Sequence, residues 1–179
     1  MFLIAVLLAA MPTVRLSESG QVKVGSVAPS FGGWDLKGER VLTLNGLRRT
    51  PSVAPLLISF GASWCKPCVE GLPRLMKFTR NHPQLRFVLI AVESEPEKAQ
   101  ELAAQAGIDG PVILDKFEQI AKLYGVAGEE RTQLPRTFLV DAAGKIRAIY
   151  GVEGEDLEKV LEIDLEASRT PVRPAAGER

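Results

Sequence analysis

Histidine and cysteine are nearly absent from this chain of 179 residues, which holds one histidine and two cysteines. A structural zinc site wants about four nitrogen or sulfur donors, and Cys65, Cys68 and the lone His82 beside Pro83 fall short of that, so no metal centre is expected. An excess of charge is missing too, because 22 Lys and Arg are balanced by 22 Asp and Glu. Without a basic stripe or a run of like charge there is no electrostatic footprint for nucleic acid or an anionic membrane surface. Internal repeats of about 20 to 50 residues, the mark of solenoids and propellers, are also lacking.

The apolar stretch from Met1 to Val14 is shorter than the roughly 20 residues a membrane-spanning helix needs. With the small residues Ala9 and Ala10 it fits the core of a secretory signal, or a short retained anchor. No cysteine follows it, so a lipid-modified N-terminus is not indicated. Residues 1–20 are therefore assigned to an export segment or short membrane anchor with its linker, 21–167 to one folded domain and 168–179 to a disordered tail. A domain of about 145 residues can bury roughly two thirds of its unfolded surface.

What is present is Trp64-Cys65-Lys66-Pro67-Cys68, with both cysteines of the chain three positions apart. Leu56-Leu57-Ile58-Ser59-Phe60 upstream reads as a buried strand. Downstream, Val69, Leu72, Leu75, Met76 and Phe78 recur largely at helical spacing. The pair thus sits where a strand hands over to a helix N-terminus, whose free N–H groups and positive dipole end favour a thiolate on Cys65. A free thiol titrates near 8.5, a C-x-x-C at a helix start can fall to roughly 7 or below, and Lys66 pushes the same way. Cys68, about one turn later, is placed to attack a mixed disulfide on Cys65 and resolve it. An inert staple is the plainer reading of such a pair, although a bond closing so short a loop adds little stability by the loop-entropy argument.

The rest of the chain reads as alternating strands and helices. Val24 to Phe31 and Trp34 to Leu44 suggest a hairpin with its turn at Lys37-Gly38-Glu39. Pro73 is expected to kink the helix after the cysteines. Leu85 to Val92 is a nearly continuous apolar run, as in a strand covered on both faces. Ser94-x-x-Glu97 reads as a capping box and Gly107 as a C-cap, framing a helix from about Glu95 to Ala106. Pro111 to Asp115 is a further strand, Phe117 to Tyr124 a short helix, and Arg136 to Tyr150 a second hairpin turning at Ala142-Ala143-Gly144-Lys145. Asp156 to Glu166 places Leu157, Val160, Leu161 and Leu165 on one face of a closing helix.

The order of a strand, W-C-x-P-C and a helix with an internal proline, then Leu134-Pro135-Arg136-Thr137-Phe138-Leu139-Val140-Asp141, resembles the thioredoxin superfamily. Within it the chain is similar to the TlpA/ResA-like extracytoplasmic thiol-disulfide oxidoreductases, with an AhpC/TSA–Redoxin-like thioredoxin domain, over roughly residues 22 to 165. That resemblance implies an α/β thioredoxin-like fold, a central mixed sheet flanked by helices, with an N-terminal β-hairpin extension. It implies that Cys65 and Cys68 are catalytic as a redox-active disulfide, with no other cofactor, and that Pro135 is cis and faces them. Leu134 would then offer backbone hydrogen bonds to an extended substrate, while Trp64, Lys66 and Pro67 shape the site. Trp64 reads equally well as core packing.

Departures from the pattern are specific. Ser59 stands where thioredoxin has a buried aspartate, Gly71 where TlpA/ResA-like proteins often have a glutamate, and Gly61 where many relatives have a second tryptophan. Glu70, one residue early, is displaced by about 100° around the helix, so it is at most a candidate for proton transfer to Cys68. The implied activity is extracytoplasmic reduction of protein disulfides, as in cytochrome c maturation, with electrons from a membrane thiol reductase. Two alternatives stay open: a peroxiredoxin-like peroxidase, for which Ala62 stands in place of the needed threonine, and a non-catalytic thioredoxin-fold binding module.

Overall fold

A computed structural model describes residues 22–49, 53–151 and 157–169. The apolar segment within 1–20 and the tail beyond Arg169 lie outside the described residues, as does Asp156. Among the described residues no helix is long and apolar enough to cross a membrane.

The chain opens with a small antiparallel hairpin, β1 (Gly32–Trp34) and β2 (Val41–Thr43), pairing Gly33 with Leu42. Its turn is held by Asp35, whose Oδ1 accepts the Glu39 N–H at 2.9 Å. The first arm is therefore not Val24 to Phe31, as the β-like composition suggests. Val24 and Val27 are exposed, and that segment forms no strand: it lies against residues 144–146 through an isolated bridge from Val27 to Lys145 and backbone bonds such as that from the Gly25 N–H to the Ile146 carbonyl. A short helix not anticipated from sequence, α1 (Leu44–Arg49), follows directly, and the Thr43 hydroxyl accepts the Gly46 N–H at its start.

The main sheet has five strands in the order β5-β4-β3-β6-β7. At its centre β3 (Leu56–Gly61) is buried at every position, and β4 (Arg86–Ala91) runs parallel to it with Leu57 opposite Phe87. Continuous apolar runs suit strands covered on both faces, which is why these two segments are so easily recognised. Between them α2 (Lys66–Asn81) lays Leu72, Leu75, Met76 and Phe78 onto one face. Burial of side chains of this size stabilises by about 1.5–3 kcal/mol each. The helix continues through Pro73, which lies on its exposed side, so the expected interruption does not end it.

The second crossover, α3 (Pro96–Ala106), returns to β5 (Val112–Leu114), parallel to β4. Its capping box is not formed. Pro96 occupies the first turn, the N-cap falls on Glu95, and no side chain caps it. At the other end Gly107 takes the left-handed conformation, φ 64°, that closes helices cheaply only with glycine. The short α4 (Gln119–Leu123) hangs from Asp115, whose carboxylate accepts the N–H groups of Ile120 at 3.2 Å and Ala121 at 2.8 Å.

Two antiparallel strands, β6 (Arg136–Val140) and β7 (Ile146–Tyr150), complete the sheet beside β3. The closing helix α5 (Leu157–Arg169) buries Leu157, Leu161 and Leu165, whereas Val160 is exposed. It also takes in Ser168 and Arg169, which the sequence reading gave to the tail. The buried Ser168 hydroxyl donates to the Leu165 carbonyl within the helix. The result is the mixed, helix-flanked sheet with an N-terminal hairpin that the fold class calls for.

Candidate active site

Strand direction decides where chemistry can gather. Gly61 and Ala91 are register partners at the ends of parallel β3 and β4, and antiparallel β6 begins with Arg136 opposite Phe60. Residues 62–65, 92–94 and 134–135 therefore leave the sheet at one edge. That is the carboxyl end of the parallel strands, where open α/β sheets place their sites.

Cys65 is the N-cap of α2, with extended backbone angles, and its Sγ accepts the Cys68 N–H at 3.2 Å. Its carbonyl accepts the N–H groups of Cys68 and Val69, so the first turn is closed by the two cysteines themselves. Pro67 fits that turn because its missing N–H would have no partner there. Cys65 and Cys68 are joined by a disulfide, with Cys65 5% and Cys68 1% exposed. Both sulfurs lie below the surface, in a cluster with Ala62 and the half-buried Leu134.

Leu134 is joined to the buried Pro135 by a cis peptide bond. Trp64 is 61% exposed, which rules out core packing as its role. Lys66 and Glu70 are exposed on the outer face of α2 and pair with each other at 3.7 Å. The Glu70 carboxylate thus points toward solvent and Lys66, one helical face away from the buried Cys68. In place of the aspartate of thioredoxin, Ser59 meets Thr137 across β3 and β6, hydroxyl to hydroxyl at 2.9 Å and out of solvent.

Two acids near the site escaped the sequence reading. Glu93 is 7% exposed, two residues beyond β4, and its Oε1 accepts the backbone N–H of Ser63 in the loop before Cys65. Asp115, buried beyond β5, caps α4. With Trp64 and the exposed Phe117 they line a depression of about 400 Å³. The available signal was positional, since Asp115 immediately follows β5 and Glu93 comes two residues after β4, both at the carboxyl ends of parallel strands. A larger depression of about 660 Å³, lined by Arg40, Arg80 and Phe87 among others, lies away from both cysteines and from every residue of this loop cluster.

Chemically, a sulfur at the head of a 16-residue helix can carry negative charge when the disulfide is reduced, because the N-terminal end of the helix favours an anion. The second sulfur lies one turn away, within bonding distance of the first. Such a pair can exchange two electrons with another disulfide or dithiol.

The chain is similar to known proteins. The chain is 30% identical over 152 residues to the thiol-disulfide oxidoreductase ResA of Geobacillus thermodenitrificans, covering 82% of this chain and 80% of that protein. It is 27% identical over 148 residues to the ResA of Bacillus cereus strain ATCC 10987, covering 82% and 79%. Among solved structures, the thioredoxin domain of a thiol-disulfide oxidoreductase from Bacteroides vulgatus superposes with a TM-score of 0.67 at 24% identity, covering 81% of this chain and 99% of that one. A thiol:disulfide interchange protein of the thioredoxin family from Chlorobium tepidum gives 0.63 at 23% identity, covering 79% and 97%. At the level of the family, residues 24–149 match AhpC/TSA. That span takes in every strand from β1 to β6 and all but the last residue of β7, and the chain belongs to the AhpC/TSA family.

Proposed function

We propose that the protein is a thiol-disulfide oxidoreductase that reduces disulfides of other proteins outside the cytoplasm, drawing its electrons from a membrane thiol reductase. The observation that carries this reading is the Cys65–Cys68 disulfide closing the first turn of α2 beside Leu134 and Pro135. The similarity to ResA proteins supports the same activity. In the reduced protein the Cys65 thiolate attacks a substrate disulfide, a bond forms from Cys65 Sγ to one substrate sulfur, and the other leaves as a thiolate that takes up a proton. Cys68 then attacks Cys65 Sγ, releasing the second substrate thiol and leaving the protein oxidised. Two electrons pass to the substrate, and an external dithiol restores them. The backbone of Leu134 offers the extended substrate segment its hydrogen bonds, and Trp64, Lys66 and Pro67 border the entrance. Maturation of cytochrome c, whose haem-binding cysteines must be kept reduced in an oxidising compartment, is a fitting use.

Reduction of insulin by the dithiol form tests the activity, with Cys65→Ser expected to abolish it. Cys68→Ser should hold substrates as mixed disulfides on Cys65, identified by mass spectrometry after expression in the native host. Peroxide consumption that survives Cys68→Ser would replace this reading with a peroxidase.

A further inference from the structure

Glu93 extends the β3–β4 ladder after its backbone bonds run out. The last of those bonds is from the Val92 N–H to the Gly61 carbonyl at 2.9 Å. One residue on, the Glu93 side chain takes over and accepts the Ser63 N–H. Ser63 lies inside the turn that the Cys65 N–H closes on the Ala62 carbonyl at 3.1 Å. At most about 7 Å of backbone separates Ser63 from Cys65. A carboxylate buried to 7% exposure therefore stands behind the loop that aims the nucleophilic sulfur.

We infer that Glu93 is a positioning residue for the dithiol: it fixes the loop before Cys65, and its negative charge disfavours the Cys65 thiolate and so makes the pair a better electron donor. The inference rests on the oxidoreductase reading. The oxidised protein carries no charge on sulfur, whereas the reduced protein carries a thiolate fraction. A nearby carboxylate destabilises only the latter and shifts the couple toward the disulfide, against the pull of the α2 N-terminus.

The other charged groups around the loop leave this effect in place. Among the described residues Glu93 makes no ion pair. On α2, Lys66 is exposed and turned to Glu70. On α3, the exposed Lys98 is held at 3.1 Å by Glu101, which chiefly raises its pKa, with smaller contributions from Glu95 and Glu93. Across the depression, Asp115 is committed to the α4 N–H groups, and Lys116 is exposed beside Glu118, whose carboxylate accepts from Thr132. On β6, Arg136 reaches Gln133.

The test compares full-length wild type with Glu93→Gln and Glu93→Ala. Glutamine keeps an oxygen to accept the Ser63 N–H and removes the charge; alanine removes both. One measurement is the equilibrium at pH 8 in which the protein disulfide and two glutathione thiols give the protein dithiol and glutathione disulfide. The other is the midpoint of the Cys65 alkylation rate against pH. For Glu93→Gln the equilibrium should move about three-fold toward the dithiol and the midpoint should fall by about half a unit. Glu93→Ala should move both at least as far and also slow insulin reduction. A Glu93→Gln protein unchanged in both measurements, or shifted the opposite way, overturns the inference even if Glu93→Ala does not fold. Wild-type protein inert toward insulin would instead overturn the oxidoreductase reading, while the glutathione equilibrium would still report on Glu93.

Discussion

The backbone N–H of Cys68 donates to the sulfur of Cys65 at 3.2 Å, so the nucleophile also serves as the cap of the helix that carries its partner. In the reduced protein this bond, with the positive end of the α2 dipole, favours negative charge on Cys65 and offers nothing equivalent to Cys68. Reduced protein treated with limiting iodoacetamide at pH 7 should carry the label on Cys65 with about ten-fold preference. Equal labelling of both cysteines on peptide mapping would remove the asymmetry on which nucleophile and resolver are assigned.

Much of this geometry could be read from the chain because the relevant signals are local. Leu56 to Phe60 and Leu85 to Val92 are apolar at nearly every position since both faces of β3 and β4 are covered, and the cysteine pair follows directly. The errors came where distant contacts overrule local preference. Gly32 and Gly33 are poor strand formers, yet they form β1, while the better-looking Val24 to Phe31 does not, because its valines find nothing to bury them. The helix α1 contains Gly46 and owes its place to packing, with Leu44 and Arg48 buried. The role of Glu93 depends on a loop 30 residues earlier in the chain, a pairing invisible until β3 and β4 are set in register.

Gly33 shows why a strand tolerates a residue so ill suited to it. A Cβ there would lie 2.5 Å from Cγ2 of Ile113, a side chain with no exposure at the heart of β5. Gly33→Ala must push the hairpin off the sheet or force Ile113 from its rotamer, at about 1–3 kcal/mol. At Gly32 the same methyl would meet Thr43 Cγ2 at an ordinary 3.6 Å, so Gly32→Ala should stay within about 0.5 kcal/mol of wild type. Urea unfolding of the two variants checks the contrast, and equal midpoints would contradict it.

Asp115 holds the five residues of α4 in place from outside the helix. Replacement by alanine leaves the Ile120 and Ala121 N–H groups buried without a partner, and Ile120 and Ala121 are themselves part of the core beside Tyr124. A loss of about 2–3 kcal/mol is expected, since one buried unsatisfied donor costs about 1–3 kcal/mol. Asp115→Asn retains one acceptor and should recover part of it. A urea midpoint for Asp115→Ala indistinguishable from wild type would mean that α4 is held by packing alone.

Tyr150 ties β7 to α5, its hydroxyl donating to Asp164 Oδ2 at 2.6 Å. Burial is the main reason its hydroxyl loses a proton far less readily than the ordinary value of 10.0, and the bond and charge of Asp164 add to it. Burial does the same to Tyr124, whose hydroxyl donates to the Pro29 carbonyl, against a smaller opposing pull from Arg48. Above about pH 10 the unfolded chain releases these protons while the folded protein keeps them, so the unfolded state binds fewer protons and stability falls as pH rises. Below about pH 9 both states are protonated, and these two groups give no slope. Urea midpoints of the oxidised protein, in which no free thiol is present to shuffle, should therefore decline from about pH 9 to about pH 11, one unit either side of the ordinary tyrosine value. Tyr150→Phe should lower the midpoint at neutral pH and make the alkaline decline shallower than in wild type. An identical slope in the two proteins would show that other groups, the lysines first among them, govern the alkaline limit.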